Sequence, residues 1–334
     1  MVTQKRIAAE LRLSPSTVSR ALADDPRIGE STRRRVAEVA NQLGYQPNLL
    51  AAGIRTGITK TIGLVVMDIT NPFYGQLARG VEDCAYENGY SVILCDSDFN
   101  PDRESLYLTL LQNKRVDGIL MTPVSSDKYA RRSLLARGTP YLLVDAFGAE
   151  DEASVVTVDH VRGIYLAVRH LLEQGHTRIA FVGGELKVPP VQMMFQGYQK
   201  ALNEAKINID RAWICQETLE MVGGYNGMVK LLNLKSPPTA AVFVSDQTAI
   251  AALQALEEFG IEVPNEFGIV GYDNIPIAAR VNPPLTTIAQ DNYELGRIST
   301  KILIHEISAG SGCTHQQVLL QPDLVVRRSS VRII

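Results

Sequence analysis

At 334 residues, the chain is long for a single domain, and two or three folding units are expected. It is 46% hydrophobic with a net charge of −3, has no apolar run long enough to span a bilayer, and begins with polar and basic residues rather than a signal peptide, which argues against a membrane or secreted protein and for a cytoplasmic one. The four cysteines show no C-x-x-C spacing, so we expect reduced thiols and no zinc site.

The first candidate functional element is a helix predicted over residues 14–22, S-P-S-T-V-S-R-A-L. Ser14 suits the N-cap position, and Pro15 suits the first helical position, where its missing N–H costs nothing. Apolar residues recur at helical spacing and would face a core, which leaves small polar side chains and Arg20 on the outer face. Such a helix can enter the major groove of DNA, although a capped surface helix of any domain shows the same pattern.

Two further helical patterns flank this stretch, at residues 3–13 and 31–43. The tight connection between the first and second patterns gives the layout of a helix-turn-helix. Gly44 would end the third helix. Three helices in about 45 residues suit a small DNA-reading head better than a self-sufficient enzyme domain.

The charges of the chain are unevenly distributed. Residues 1–60 contain ten Lys or Arg and five Asp or Glu, a net charge of +5, whereas the rest of the chain carries −8. A basic head on an acidic body is typical of a protein that meets polyphosphate at one end only, with a solvated basic face as the alternative.

The sequence resembles the lactose-repressor (LacI/GalR) family of bacterial transcription regulators, with some likeness to its catabolite control protein branch. The matching segments keep the family order and span almost the whole chain. They are residues 14–22, 43–48 (L-G-Y-Q-P-N), 63–66 (G-L-V-V), 68–74 (D-I-T-N-P-F-Y), 116–119 (V-D-G-I), 175–176 (G-H), 197–198 (G-Y) and 271–273 (G-Y-D).

The resemblance implies DNA-binding residues in two places. In the capped helix they are Pro15, Ser16, Thr17, Ser19 and Arg20. In residues 47–60 the resemblance implies a hinge helix that orders on the operator and enters the minor groove, with Ile54 as an apolar wedge and Arg55 as the adjacent basic residue. Gly53 departs from the family pattern and lowers helix propensity by up to about 1 kcal/mol. A plain interdomain linker is the alternative.

From residue 61 onward, apolar strands alternate with amphipathic helices, which predicts parallel sheets with both faces covered. There are too many strands for one doubly wound sheet, and residue 160 starts a second round of the pattern. The predicted fold is therefore α/β: an N-terminal helix-turn-helix head followed by two Rossmann-like lobes.

The resemblance implies lobes of the periplasmic-binding-protein type, with several crossovers between them. We therefore expect a head at residues 1–46, a hinge at 47–60 and an effector-binding and dimerisation core at 61–334. The first lobe would comprise residues 61–158 and 288–319, and the second residues 159–287 and 320–330.

Motifs of enzymes are absent: the sequence has no P-loop, no G-x-G-x-x-G after a strand, no G-x-S-x-G and no H-E-x-x-H. We therefore predict a protein that is not an enzyme, with no cofactor and no metal. Ligands of open α/β sheets bind beyond the carboxyl ends of the strands, which predicts a binding cleft there.

By resemblance, the cleft is lined by two aromatic rings, an apolar wall and two carboxylates that bind hydroxyl or amine donors. These candidate effector-binding residues are Phe73, Tyr74, Val124, Val188, Pro190, Met194, Leu219, Asp246 and Asp273. Met194 stands where many sugar-responsive members carry an arginine, and Leu219 stands at an aromatic stacking position. Helix capping by Asp246 and turn formation by Asp273 are the structural alternatives.

These observations predict a homodimeric repressor that binds a palindromic double-stranded DNA operator under the control of a small-molecule effector of unknown identity. An alternative by resemblance is control by a phosphorylated phosphocarrier protein, which would dock on the helix that carries Tyr293 and Lys301. A second alternative is a small-molecule binding protein without a DNA role, which the basic head argues against.

Overall fold

A computed structural model describes residues 2–22, 24–45, 58–124, 134, 138–146, 153–310 and 313–331. The chain divides into two compact units, Met1–Thr59 and Lys60–Ile334. Ile54 and Arg55 of the predicted hinge lie outside the described residues.

The smaller unit contains three helices, α1 (Gln4–Leu11), α2 (Pro15–Leu22) and α3 (Glu30–Gln42). The hydroxyl of Ser14 accepts a 3.1 Å hydrogen bond from the N–H of Thr17 and so caps α2 as predicted. Apolar side chains of all three helices form one small core, with Ile7, Ala8, Val18, Ala21, Val36 and Ala40 buried. The tripartite helical head predicted from the sequence is confirmed.

The larger unit alternates strands with helices. In chain order its described elements are β1 (Thr61–Val66), α4 (Pro72–Glu87), β2 (Ser91–Asp96), α5 (Pro101–Asn113), β3 (Gly118–Met121), β4 (Tyr141–Val144), β5 (Ser154–Val158), α6 (His160–Glu173), β6 (Ile179–Gly183), α7 (Pro189–Glu204), β7 (Ile214–Gln216), α8 (Met221–Leu232), β8 (Ala240–Phe243), α9 (Asp246–Glu258), β9 (Gly268–Tyr272), β10 (Thr286–Ala289), α10 (Asn292–Ala309), β11 (Gln317–Leu320) and β12 (Asp323–Val325). Short 3-10 helices occupy Arg211–Trp213 and Pro276–Ala279.

The described strands form two six-stranded sheets, and these define two lobes. The first sheet has the order β11-β5-β4-β3-β1-β2 and is parallel throughout. The second has the order β12-β10-β9-β8-β6-β7, with only β12 antiparallel to its neighbour. The central strands are buried on both faces, as expected of sheets covered by crossover helices. The predicted fold class is confirmed.

The crossovers between the lobes differ slightly from the predicted boundaries. Ile288 pairs with Tyr272 of β9 and with Leu324 of β12, so residues 288 and 289 belong to the second lobe, and the return to the first lobe begins with α10. Leu320 pairs with Val158 in the first sheet and not, as predicted, in the second lobe. The sequence pattern did not predict β10 because its T-T-I-A segment is short and half threonine.

Helix α10 packs against α4 with their backbones almost in contact. A Cβ atom at Gly80 would lie 2.0 Å from the carbonyl oxygen of Tyr293, and one at Gly296 would lie 2.3 Å from that of Leu77. Only glycine fits at these crossing points, and a larger residue at either position would push the two helices apart. This packing positions the segment that precedes α10 at the junction of the lobes. Within the described part of the chain, no helix is long and apolar enough to cross a membrane.

Candidate functional site

A cavity of about 320 Å³ lies at the carboxyl ends of the strands of both sheets, which is the position expected for ligands of open α/β folds. The first lobe contributes Met67, Asn71, Phe73, Tyr74, Phe99, Val124 and Asp145. The second lobe contributes Glu185, Val188, Pro190, Val191, Met194, Leu219, Val244, Ser245 and Asp273. His160 and Gln290 line it from the crossover segments.

Eight of the nine predicted effector-binding residues lie on the wall of this cavity. They are Phe73, Tyr74, Val124, Val188, Pro190, Met194, Leu219 and Asp273. Their participation in effector binding remains a prediction. The rings of Phe73 and Tyr74 meet edge to face with centroids 4.8 Å apart. The side chain of Asn71 caps α4 by accepting a 2.9 Å hydrogen bond from the N–H of Phe73, which fixes the first turn of the helix that carries both rings.

Asp246, the ninth residue, does not line the cavity. Its carboxylate is fully buried, with Oδ1 accepting from the hydroxyl of Thr287 at 2.6 Å and Oδ2 accepting from the N–H of Ile275 at 2.8 Å. Burial raises the pKa of Asp246 to about 7. Oδ1 therefore holds β10 and Oδ2 holds the turn after β9, and the effector contact predicted for Asp246 stays a prediction. Capping by Asp246 does not occur, since Ser245 caps α9 through the N–H of Thr248.

Asp273 follows β9 directly and is buried at the cavity wall. Its backbone φ of 106° is unusual for a residue with a side chain, and its N–H donates to the carbonyl oxygen of Ile288 at 2.9 Å. Gln290 Nε2 donates to Oδ1 of Asp273 at 2.6 Å. Burial raises the pKa of Asp273 well above its ordinary value, and the nearby carboxylate of Asp246 raises it further. Among the described residues that shift the pKa of Asp273, none is a lysine or an arginine.

The sequence did not single out a hydrogen-bonded chain that bridges the two lobes at the cavity. The imidazole of His160 lies 2.7 Å from Oδ1 of Asp145 through Nε2 and 2.8 Å from the hydroxyl of Tyr272 through Nδ1. Asp145 follows β4 in the first lobe, and Tyr272 ends β9 in the second. Asp145 comes directly after β4 and His160 is the second residue after β5, which is the signal that could have identified them.

The wall contributed by the second lobe is apolar. It is formed by Val188, Pro190, Val191, Met194 and Leu219, with the exposed Glu185 beside them. Among the described lining residues, His160 is the only side chain that can carry a positive charge. The cavity therefore combines carboxylates and aromatic rings with a hydrocarbon surface.

Helix α2 exposes Pro15, Ser16 and Arg20, whereas Thr17 and Ser19 are partly buried. In the isolated chain the hydroxyls of Ser16 and Thr17 each lie 2.8 Å from Oγ of Ser14. The α2 surface thus presents one arginine and a small polar patch, which matches the shape and chemistry of a major-groove reading helix.

Tyr293 and Lys301, the residues predicted for phosphocarrier docking, both lie on α10. Lys301 is exposed, while the hydroxyl of the partly exposed Tyr293 donates to Oδ2 of Asp83 on α4 at 3.1 Å.

The structure combines a two-lobed α/β core that contains a cavity with a helix-turn-helix unit. The profile described as "Bacterial regulatory proteins, lacI family" matches residues 4–48, and "Periplasmic binding protein-like domain" matches residues 168–330. The chain is 35% identical over 327 residues to the HTH-type transcriptional regulator DegA of Bacillus subtilis (strain 168), covering 97% of this chain and 96% of that protein. The chain belongs to the lacI family and is a DNA-binding transcription regulator.

Two solved structures show the same architecture. The lac repressor dimer bound to operator and the anti-inducer ONPF superposes with a TM-score of 0.88 at 25% identity, covering 99% of each chain. A LacI family transcriptional regulator from Enterococcus faecium with bound ribose superposes with a TM-score of 0.75 at 34% identity, covering 82% of this chain and all of that one.

Proposed function

We propose that the protein is a cytoplasmic transcriptional repressor that binds a palindromic operator as a homodimer and is controlled by a small molecule in the interlobe cavity. The observation that carries this proposal is the joint presence of a capped reading helix and a cavity lined by eight predicted effector residues. The dimer of the lac repressor bound to operator supports the assembly, and the ribose-bound regulator supports an effector in the core.

In this proposal the DNA contacts of the head come from α2. Arg20 contacts a base edge, while Pro15 supplies shape and Ser16 supplies a short polar contact. Thr17 and Ser19 contact the phosphate backbone of the DNA. The hinge contribution of Ile54 and Arg55 stays a prediction from the family resemblance. Effector binding would change the closure of the lobes and bias the hinge between ordered and disordered states.

The cavity favours an effector with hydrogen-bond donors at one end and an apolar face at the other. Asp145 and Asp273 supply acceptors, and the wall around Met194 and Leu219 supplies the apolar surface. A sugar phosphate would bring its negative charge next to two carboxylates in a confined, water-poor site, which costs free energy.

A second candidate is control through the exposed face of α10 by a phosphocarrier protein, on the strength of the exposed Lys301 and the partly exposed Tyr293. In that case the cavity would serve the structure alone, and a phosphorylated phosphocarrier protein would tighten operator binding while small molecules would not.

The test is selection of DNA by the full chain from randomised duplexes, followed by anisotropy titrations with the enriched sequence. We expect a palindrome bound by two chains, and an operator affinity that changes when a cavity ligand is added. Enrichment of no sequence, or of a site that binds one chain, would contradict the proposal. An operator that responds only to the phosphocarrier protein would favour the second candidate.

A further inference from the structure

The described lining of the cavity contains the carboxylates of Asp145, Asp273 and Glu185 but no lysine or arginine. Asp273 receives only the neutral amide of Gln290, at 2.6 Å. A further carboxylate, Asp246, is close enough to raise the pKa of Asp273, and so is Asp145. Arg327 acts electrostatically on Asp246, but its guanidinium donates to the carbonyl oxygen of Leu285 and to Oδ1 of Asn274. None of these contacts brings a lysine or an arginine to the cavity wall, so Asp273 and Asp145 are available to a cationic group of a ligand.

His160 contacts Asp145 and Tyr272 through its two ring nitrogens. A neutral imidazole satisfies both of its neighbours, because Nδ1 can accept from the hydroxyl of Tyr272 while Nε2–H donates to Oδ1 of Asp145. The hydroxyl of Thr157 also donates to Oδ1 of Asp145, at 3.3 Å. These donors hold one oxygen of Asp145 and orient the carboxylate as an acceptor at the cavity.

The remaining walls suit a body that is aromatic or aliphatic. Phe73, Tyr74 and Phe99 bring three rings to the cavity, and the face of an aromatic ring stabilises a cation within about 6 Å. The second lobe adds Val188, Pro190, Val191, Met194 and Leu219, whose side chains carry no nitrogen or oxygen. A polyol with hydroxyls on all sides would leave several of them unpaired against this wall, at a cost of about 1–3 kcal/mol for each buried group.

We infer that the effector is an organic monocation, with one ammonium-type nitrogen held by Asp273 and Asp145 and an apolar body against the wall of the second lobe. This inference rests on the proposed function of the cavity as the effector site. A volume of about 320 Å³ accommodates one small molecule, at the lower end of the usual range for ligand pockets.

Cation binding at this site has a proton signature. The groups that interact with Asp273 are the carboxylates of Asp246 and Asp145, the amide of Gln290 and the phenols of Tyr74 and Tyr272, and the imidazole of His160 lines the same cavity. Because the pKa of Asp273 is raised in the empty cavity, an ammonium group that favours its ionised form displaces a proton to the buffer. A neutral ligand has no such effect.

The experiment compares 2-phenylethylammonium with its neutral isostere 2-phenylethanol, and both with ribose and cytidine, by titration calorimetry on the full chain at pH 7.5. We expect the cation to bind at least about tenfold more tightly than the alcohol. Its apparent enthalpy should depend on the ionisation enthalpy of the buffer, which reports the released proton. In Asp273→Asn the preference for the cation should fall to about one and the proton release should disappear.

Two further variants keep the test decisive. Asp145→Asn should also reduce the preference for the cation, which guards against misfolding of Asp273→Asn as the explanation. Glu185→Gln, which removes the charge of an exposed carboxylate that already pairs with Lys187, is the matched control and should keep most of the preference. Operator binding and the melting temperature of each variant show whether it folds.

The outcomes separate the two proposals. Equal binding of cation and alcohol, tighter binding of ribose or cytidine, or binding of none of the four would overturn the cation assignment. If ribose or cytidine binds and changes operator affinity, the repressor proposal stands and the cation assignment fails. If the ammonium probe binds with the expected preference but leaves operator affinity unchanged, the ligand class stands and effector control of DNA binding fails.

Discussion

Gln290 donates its side-chain amide to Oδ1 of Asp273 at 2.6 Å, and its own Oε1 has no partner among the described residues. Two residues later, the amide of Asn292 donates both to the carbonyl oxygen of Asp273 and to Oε1 of Gln76 on α4. The buried acceptor of the second lobe is thereby tied to the helix that supports the first. A ligand that engages Asp273 acts on a residue whose backbone and side chain are both held by the crossover segment.

The variant Gln290→Met removes the donor to Asp273 and keeps the length of the side chain. Because the hydrogen bond from Gln290 lowers the pKa of Asp273, its loss should raise that pKa further and weaken binding of an ammonium probe several-fold near pH 6. The loss should shrink as the pH rises and Asp273 ionises in both proteins. Stability should change little, since the unpaired Oε1 disappears as well.

Calorimetric titrations at several pH values measure this effect. The matched control is Gln76→Met, which breaks the contact with Asn292 but leaves the bond between Gln290 and Asp273 in place. An affinity that is unchanged at low pH in Gln290→Met, or equally lowered in the control, would remove Gln290 from the site.

The site and the fold were predictable where the signal is local. Phe73 and Tyr74 follow a strand and an Asn-Pro cap, and the strand-helix rhythm revealed two lobes. The sequence does not show that Asp246 is buried away from the cavity, because its hydrogen-bond partners Ile275 and Thr287 are 29 and 41 residues further along the chain. Gln290 went unnoticed for a similar reason: its position depends on which sheet β10 joins, and a four-residue strand does not reveal its partner.

The variant Arg20→Ala tests sequence reading by α2. Arg20 is exposed on the face opposite the buried Val18 and Ala21, where a guanidinium can pair with the O6 and N7 edge of guanine. We expect its removal to cost about 1–3 kcal/mol of specific binding and to relax the preference at one base pair in each half-site.

The control for Arg20→Ala is Arg35→Ala, which removes an equal charge from an exposed position of α3. That variant should weaken binding to all sequences alike, if it has any effect. Competition titrations with operator and single-base variants distinguish the two patterns. A uniform loss of affinity in Arg20→Ala would show that Arg20 contacts phosphate only.

The variant Ser14→Ala tests the N-cap of the reading helix. Ser14 Oγ accepts from the N–H of Thr17 and contacts the hydroxyls of Ser16 and Thr17, so its removal should destabilise α2 by about 0.5–2 kcal/mol. Ser31→Ala is the control, because Ser31 is exposed near the start of α3 and Gly29 occupies the N-cap of that helix. Hydrogen exchange of the α2 amides provides the measurement, and equal protection in both variants would contradict the capping role.

The buried carboxylates predict that the core loses stability as the pH rises. The pKa of Asp246 is about 7 in the folded chain, against an ordinary value of 3.8, so the folded state holds a proton that the unfolded state releases between these values. The free energy of unfolding should therefore fall as the pH increases from about 4 to 7, by at most about 4 kcal/mol from this group, and level off above. Asp273 contributes in the same direction, because its pKa is raised too.

Urea unfolding of the full chain across this pH range measures the effect, and Asp246→Asn isolates the contribution of one group. An asparagine keeps the shape of the side chain, can accept from the N–H of Ile275 and can donate to Oγ1 of Thr287, so the fold should persist. The variant should lose a large part of the pH dependence and become more stable than the wild type near pH 8, where the native carboxylate is ionised and buried. Asp323→Asn, at an exposed position, should keep the wild-type profile. If Asp246→Asn keeps the full decline, that decline arises from Asp273 or another group, and the buried proton does not reside on Asp246.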